Sequence, residues 1–177
     1  TVAVPPQRVV ATDNRTITVL DEWGIEVVAA PLDIFPAGLS YKEDGADVIN
    51  LGNHGEPDLE AVVAADPDLI INGQRFASYY GDFQTLVPDA TIVELDPREG
   101  EAFDEELKRQ VTVLGEIFGK QDEAAKMVAD FEESIERVTA AYDGTETVMA
   151  VITSGGEINY AAPTSGRTLG PVFDILG

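Results

Sequence analysis

For its first hundred residues the chain switches between short apolar runs and helical patterns, and from Glu101 to Tyr142 the strand signal stops. No other feature limits the fold so strongly. "RVVAT" (Arg8–Thr12), "EVVAAP" (Glu26–Pro31), "DLIIN" and "TIVELD" (Thr91–Asp96) read as strands, and "DVINLG" as a shorter one. "DLIIN" does not alternate between apolar and polar residues, which marks a strand buried on both faces. In the helical stretch "DNRTITVLDEWG", Asp13 or Asn14 supplies a cap, Ile17, Leu20 and Trp23 form the apolar stripe, and Gly24 is the stop. "EPDLEAVVAADP" opens on Pro57 and Asp58 and ends before Pro67. A short helix from Tyr80 to Val87 precedes the last strand. Strands and helices alternating at this spacing predict βαβ units, right-handed crossovers and a parallel sheet with helices on both faces.

The strandless stretch predicts two helices. Glu101–Phe118 is one, stopped by Gly119. Asp122–Tyr142 is the other, with Ala124, Val128, Phe131, Ile135, Val138 and Tyr142 spaced as one apolar stripe. A helix of roughly 22 residues spans about 33 Å, the width of a small domain. Strands resume after it in "TVMAVIT" (Thr147–Thr153) and "INYAA" (Ile158–Ala162), and "GRTLGPVFDILG" begins another helix. A helical segment between two sets of strands implies a strut joining two α/β lobes. The expected organisation is an α/β N-terminal lobe over 1–103, a helical connector over 104–143 and the beginning of a second lobe over 144–177. Roughly 35 residues are too few to bury a core of their own, so the chain is expected to be a fragment of a two-lobed protein.

Composition narrows the function. Among 177 residues, 33 acids stand against 11 lysines and arginines, a net charge of −22. Such a chain is no partner for nucleic acid, whose phosphates require a basic surface. The plain consequence of so much acid is solubility. No apolar run approaches the ~20 residues of a membrane-spanning helix. The start, "TVAVPPQRVV", has neither the basic opening nor the apolar run of a leader, as expected of a cytoplasmic chain or of one already trimmed. With no cysteine there is no disulfide and no thiolate metal site.

Scarce cations carry information by their position. Open parallel sheets bind ligands outside the carboxyl ends of their strands. Arg15 follows "VVATDN", Arg75 follows "LIINGQ" and Arg167 follows the turn "YAAPTSG". A dull alternative for such arginines is pairing with a loop carboxylate. Around Arg75 the setting is richer: Gly73 permits a turn or a close approach to a ligand, and Tyr79 and Tyr80 offer apolar faces and hydroxyl donors. A guanidinium can also stack on an aromatic ligand. These are the needs of a pocket for an anionic, partly aromatic ligand. Lys108, Arg109, Lys120, Lys126 and Arg137 fall on the strut and read as its solvated face.

No catalytic motif competes. G-x-x-x-x-G-K-[ST], G-x-S-x-G and G-x-G-x-x-G are all absent. The single histidine, His54, sits in the turn signal "GNHGEP" and reads as a loop residue.

Four segments carry a family likeness: "PQRVVATDNRTITVLDEWGI", "LGNHGEPDLEAVVAADPDLIINGQR", "LKRQVTVLGEIFGKQDEAAKMVADFEESI" and "SGRTLGPVFDILG". Through them the chain resembles the N-terminal part of the substrate-binding proteins of iron-siderophore and vitamin B12 ABC importers. Within that group it looks most like the catecholate-siderophore binders. The resemblance implies a non-catalytic, two-lobed protein with a long interlobe helix, working outside the cytoplasm as a lipoprotein or in the periplasm. The ligand lies between the lobes and is a ferric siderophore whose own oxygens hold the iron, so no covalent cofactor and no protein metal ligand is implied. Arg75 in "NGQR" matches a siderophore-contacting arginine. Arg167 in "SGRTLG" matches a second, although the family pattern there is closer to S-R-F-G. The family docks on its permease through a glutamate on each lobe; Glu60 in "PDLEAV" matches, with Glu56 in "GEP" nearby. Haem or a cobalamin-type ligand is the alternative within the family. A flavodoxin-like enzyme or regulatory domain is the alternative of another class, and it would need a phosphate loop or an acidic catalytic pocket at the strand ends.

Overall fold

Five short strands pair into one parallel sheet in a computed structural model of the chain, which describes residues 5–53, 56–145, 147–160 and 169–176, excepting the side chains of residues 75, 154 and 176. They are β1 (Val9–Ala11), β2 (Ala29–Ala30), β3 (Ile49–Asn50), β4 (Leu69–Asn72) and β5 (Thr91–Glu94), in the spatial order β3-β2-β1-β4-β5. The stretch Glu26–Pro31 reads as a full strand in sequence, but only Ala29 and Ala30 join the ladder.

β1 and β4 sit side by side at the centre, in the register Val9↔Leu69 to Ala11↔Ile71. Every residue of both is buried. Val9, Ala11, Leu69 and Ile71 feed one apolar cluster, while Val10 and Ile70 feed another on the opposite face. That two-sided burial is why the strands read as unbroken apolar runs. Each fully buried Leu or Ile contributes about 1.5–3 kcal/mol relative to exposure.

Helices complete the three layers. They are α1 (Thr16–Glu22), α2 (Leu59–Ala64), α3 (Tyr80–Leu86), α4 (Phe103–Phe118) and α5 (Gln121–Ala141). Ile17 and Leu20 of α1, Leu114 and Phe118 of α4 and Ala124 of α5 close over the first face. Val62 of α2 and Phe83 of α3 close over the second. Asp58 caps α2, its carboxylate accepting from Ala61 N at 2.9 Å. At the start of α1, Asp13 does the capping: its carbonyl accepts from Ile17 N and its Oδ1 from Arg15 N. α4 stops at Gly119, whose φ of +69° belongs to the left-handed region glycine enters freely.

α5 begins packed against the first apolar cluster and leaves it. Ala124 is buried and Met127 touches the cluster, whereas Val138 and Tyr142 at the far end of the same stripe are exposed. Beyond it, β6 (Val151–Ser154) and β7 (Glu157–Tyr160) form an antiparallel hairpin that is a separate sheet, and α6 (Gly170–Leu176) follows. The strand expected from Thr147 begins four residues later, and residues 148–149 are among the most exposed apolar positions. Among the described residues, no helix is long and apolar enough to cross a membrane.

Candidate functional site

Chain order and strand order part company at β1. β2 and β3 lie to one side of it, β4 and β5 to the other. The crevice outside the carboxyl ends of β1 and β4 is therefore the sheet's switch point, where such folds take ligands. Three residues meet there: Asp13, Gln74 and Asp96, each two positions past the last residue of its strand.

Their bonds tie three strand ends together. Oδ1 of Asp13 accepts from Arg15 N at 2.6 Å and from Gln74 Nε2 at 3.1 Å. Oδ2 of Asp96 accepts from Gln74 N at 3.0 Å, and its Oδ1 from Arg15 Nη2 at 2.5 Å. Just beneath, Thr12 Oγ1 donates to Asn72 Oδ1 and Asn72 Nδ2 to Glu94 Oε1, at 3.0 and 2.9 Å. Gly73 passes so close to Asp13 that a Cβ there would collide with Oδ2 and stand 3.2 Å from Oδ2 of Asp96. The close approach that Gly73 makes is to the chain's own carboxylate, where an approach to a ligand was expected.

Asp13 is fully buried, and its Oδ2 accepts no hydrogen bond among the described residues. Burial pushes its carboxyl above the usual range, against the opposing pull of the Arg15 amide and guanidinium. The neighbouring charge of Asp96 pushes the same way as burial.

The sequence-derived candidates fall as follows. Arg15 lies at this rim but is paired with Asp96, the dull alternative left open for it. Arg75 occupies the second position of a 3-10 turn, Gln74–Tyr79, directly after the switch point. Tyr79 packs its ring against Phe76 and Phe83, at centroid distances of 6.2 and 6.4 Å, and so faces the second apolar cluster. Tyr80, at the start of α3, is exposed. Glu60, in the first turn of α2, and Glu56 are both exposed. Arg167 and His54 lie outside the described residues.

One cation escaped the sequence reading. Arg98 follows "TIVELDP", past the end of β5, and meets the same rule that selected Arg15 and Arg75. Its side chain is largely exposed and donates to Glu106 from Nε and Nη2, at 3.0 and 2.6 Å. Arg109, read as a solvated strut residue, donates to the same buried carboxylate and to the carbonyls of Leu95 and Asp96. Both guanidinium groups therefore serve one carboxylate, and the hollow that Arg98 lines beside them is also lined by Glu101, Asp104 and Asp174, so no surplus of positive charge collects there. Asp13 and Asp96 were also missed, since nothing in a chain of 33 acids singles them out before strand order is known.

Among the described residues, no three histidines or acids converge as a metal site would require. At the rim Arg15 is paired with Asp96, and Gln74 donates to both Asp13 and Asp96.

Known proteins share this fold. The ferric-anguibactin-binding protein FatB of Vibrio anguillarum is 29% identical over 97% of this chain and 53% of its own. The petrobactin-binding protein YclQ of Bacillus subtilis is also 29% identical over 97% of this chain and 53% of its own. The crystal structure of YclQ superposes with a TM-score of 0.86 at 26% identity, covering 99% of this chain and 60% of that one. A TroA-like periplasmic binding protein from Xylanimonas cellulosilytica gives a TM-score of 0.84 at 30% identity, covering 99% and 58%. The chain spans about half the length of the curated relatives it matches. The periplasmic binding protein model matches residues 9–177, from the first strand through the last helix, and the chain belongs to that family.

Proposed function

We propose that this chain is the ligand-capturing part of an ABC importer, that it works outside the cytoplasm without catalysis, and that its ligand is a ferric siderophore of catecholate type. The observation that carries the reading is the place of Arg75, one residue past the switch-point turn in a protein of this family. Relatives named for ferric-anguibactin and petrobactin binding support the ligand class.

A ferric tris-catecholate carries about three negative charges, and a background of −22 repels it at long range. Short-range donors must overcome that repulsion. Arg75 and Arg167 supply charge-assisted hydrogen bonds and cation–π contacts, and Tyr80 an exposed aromatic face. Arg15 enters as framework, its charge already met by Asp96. The siderophore's oxygens hold the iron, so the protein reads the complex and does not ligate the metal. Glu60, with Glu56 as second choice, meets the permease.

The test is titration of the intact protein with ferric enterobactin, a ferric hydroxamate and haem, followed by quenching of Trp23. The indole lies at the far end of α1, about 10 Å of helix from the rim. The expected result is saturable quenching by the catecholate complex, with Arg75→Ala costing ~1.5–3 kcal/mol. Saturation by haem alone, or equal affinity in Arg75→Ala, overturns the proposal.

A further inference from the structure

Resting on that reading, we infer that Asp13 and Asp96 are positioning residues of the ligand site, which hold Gln74 in a left-handed turn and so set the backbone from which Arg75 departs. Gln74 has φ +51°. A non-glycine residue stays in that region when its surroundings hold it there, and such residues cluster at binding sites. Here both ends of the residue are held. Asp96 accepts from its backbone N–H and Asp13 from its side-chain amide.

Arg15 completes the clasp. Its guanidinium donates to Asp96 at 2.5 Å and stands 3.9 Å from Oδ1 of Asp13, so one cation restrains two carboxylates that otherwise repel. Gly73 has no side chain where Asp13 must sit, which locks the approach to the turn from the other direction.

The sheet itself does not need this clasp. β1 and β4 are already joined by their ladder, by the bond from Thr12 N to Ile71 O and by Thr12 Oγ1 to Asn72. A fully buried carboxylate with an unpartnered oxygen is a costly group for a rim that needs only packing. Asp13 caps α1 through its carbonyl and through Oδ1, which accepts from Arg15 N; its further bond, from Gln74 Nε2, is accounted for by control of the turn at 74, one residue before the arginine on which recognition depends.

The test uses the intact protein, with ferric enterobactin as the probe and Trp23 quenching as the signal. Melting temperatures are recorded so that every variant is titrated folded. Asp96→Asn, which leaves one oxygen for two donors, weakens binding ~10-fold, the scale of a lost hydrogen bond to a charged group, and Asp13→Asn, which keeps Oδ1 but removes the charge behind its bond from Gln74, weakens it ~3-fold. In a Gln74→Gly background, Asp96→Asn costs only ~3-fold, because glycine adopts the left-handed turn without the clasp. A merely structural pair would lower melting temperatures and leave affinity unchanged, and that result overturns the inference. Should Asp13→Asn not fold, Asp96→Asn and the Gln74→Gly pair decide the matter alone. A parent protein that binds Arg75-dependently, with both Asn variants binding normally, sinks the positioning role and leaves the proposed function standing. A parent that does not bind the probe, or binds it equally without Arg75, sinks both.

Discussion

Arg15 donates to Asp96 across 2.5 Å, joining the loop after β1 to the loop after β5 at the mouth of the sheet. Arg15→Ala removes the only cation paired with either carboxylate of Asp13 and Asp96 among the described residues. Asp13 is then a buried carboxylate without a counter-charge. The expected loss is ~1–3 kcal/mol, the penalty of an unsatisfied buried polar group. Urea unfolding checks it, with a lowered midpoint at unchanged slope.

Glu106 contributes to the acid response. Hydrogen bonds from Arg98 and Arg109 hold its carboxyl down to about 2, from an ordinary 4.5. A depressed carboxyl favours the fold fully above its unfolded value, and the contribution is lost as pH falls from about 4.5 towards 2. Asp13 works in the opposite sense. Its carboxyl is raised, so it favours the fold at low pH and that contribution fades as pH rises through the folded value. The stability difference between wild type and Glu106→Gln should therefore shrink between pH 5 and pH 2.5, whereas Asp13→Asn should gain on wild type as pH rises. Urea midpoints across that range and at neutral pH check both.

The α4–α5 junction depends on the absence of a side chain at 115. A Cβ there would stand 2.6 Å from Cβ of Ala124 and 3.0 Å from the carbonyl of Lys120. Gly115→Ala should destabilise by ~1–3 kcal/mol through overpacking. Adding Ala124→Gly should return part of that loss by clearing the closer contact. Thermal melts of the two variants check the pair, and full stability in Gly115→Ala would show that the helices can separate freely.

Docking and capture separate by mutation. Glu60→Lys reverses an exposed charge in the first turn of α2, on none of the bonds of the Asp13–Asp96 clasp. Under the proposed function it should lower iron uptake by cells at least ~10-fold, as reversal of an interfacial charge does, while siderophore affinity stays within about 2-fold. Uptake of labelled ferric enterobactin, alongside titration of the purified variant, checks the two halves.

Much of this protein could be read from its residue order, because the signals are local. Two-sided burial writes "LIIN" as an unbroken apolar run, Asp58 announces the start of α2, and Gly119 ends α4 because only the left-handed cap fits there. The family likeness rests on the same local motifs, and it is one ground on which Arg75 is proposed as a ligand contact. Strand order, however, is a contact between distant segments, and it alone made the ends of β1 and β4 neighbours. Only then did two acids among 33 become a clasp around Gln74, Arg15 acquire Asp96 as its partner, and Arg98 join Arg109 on Glu106. Charge pairing is decided by distance in space, and a chain's order records distance only along itself.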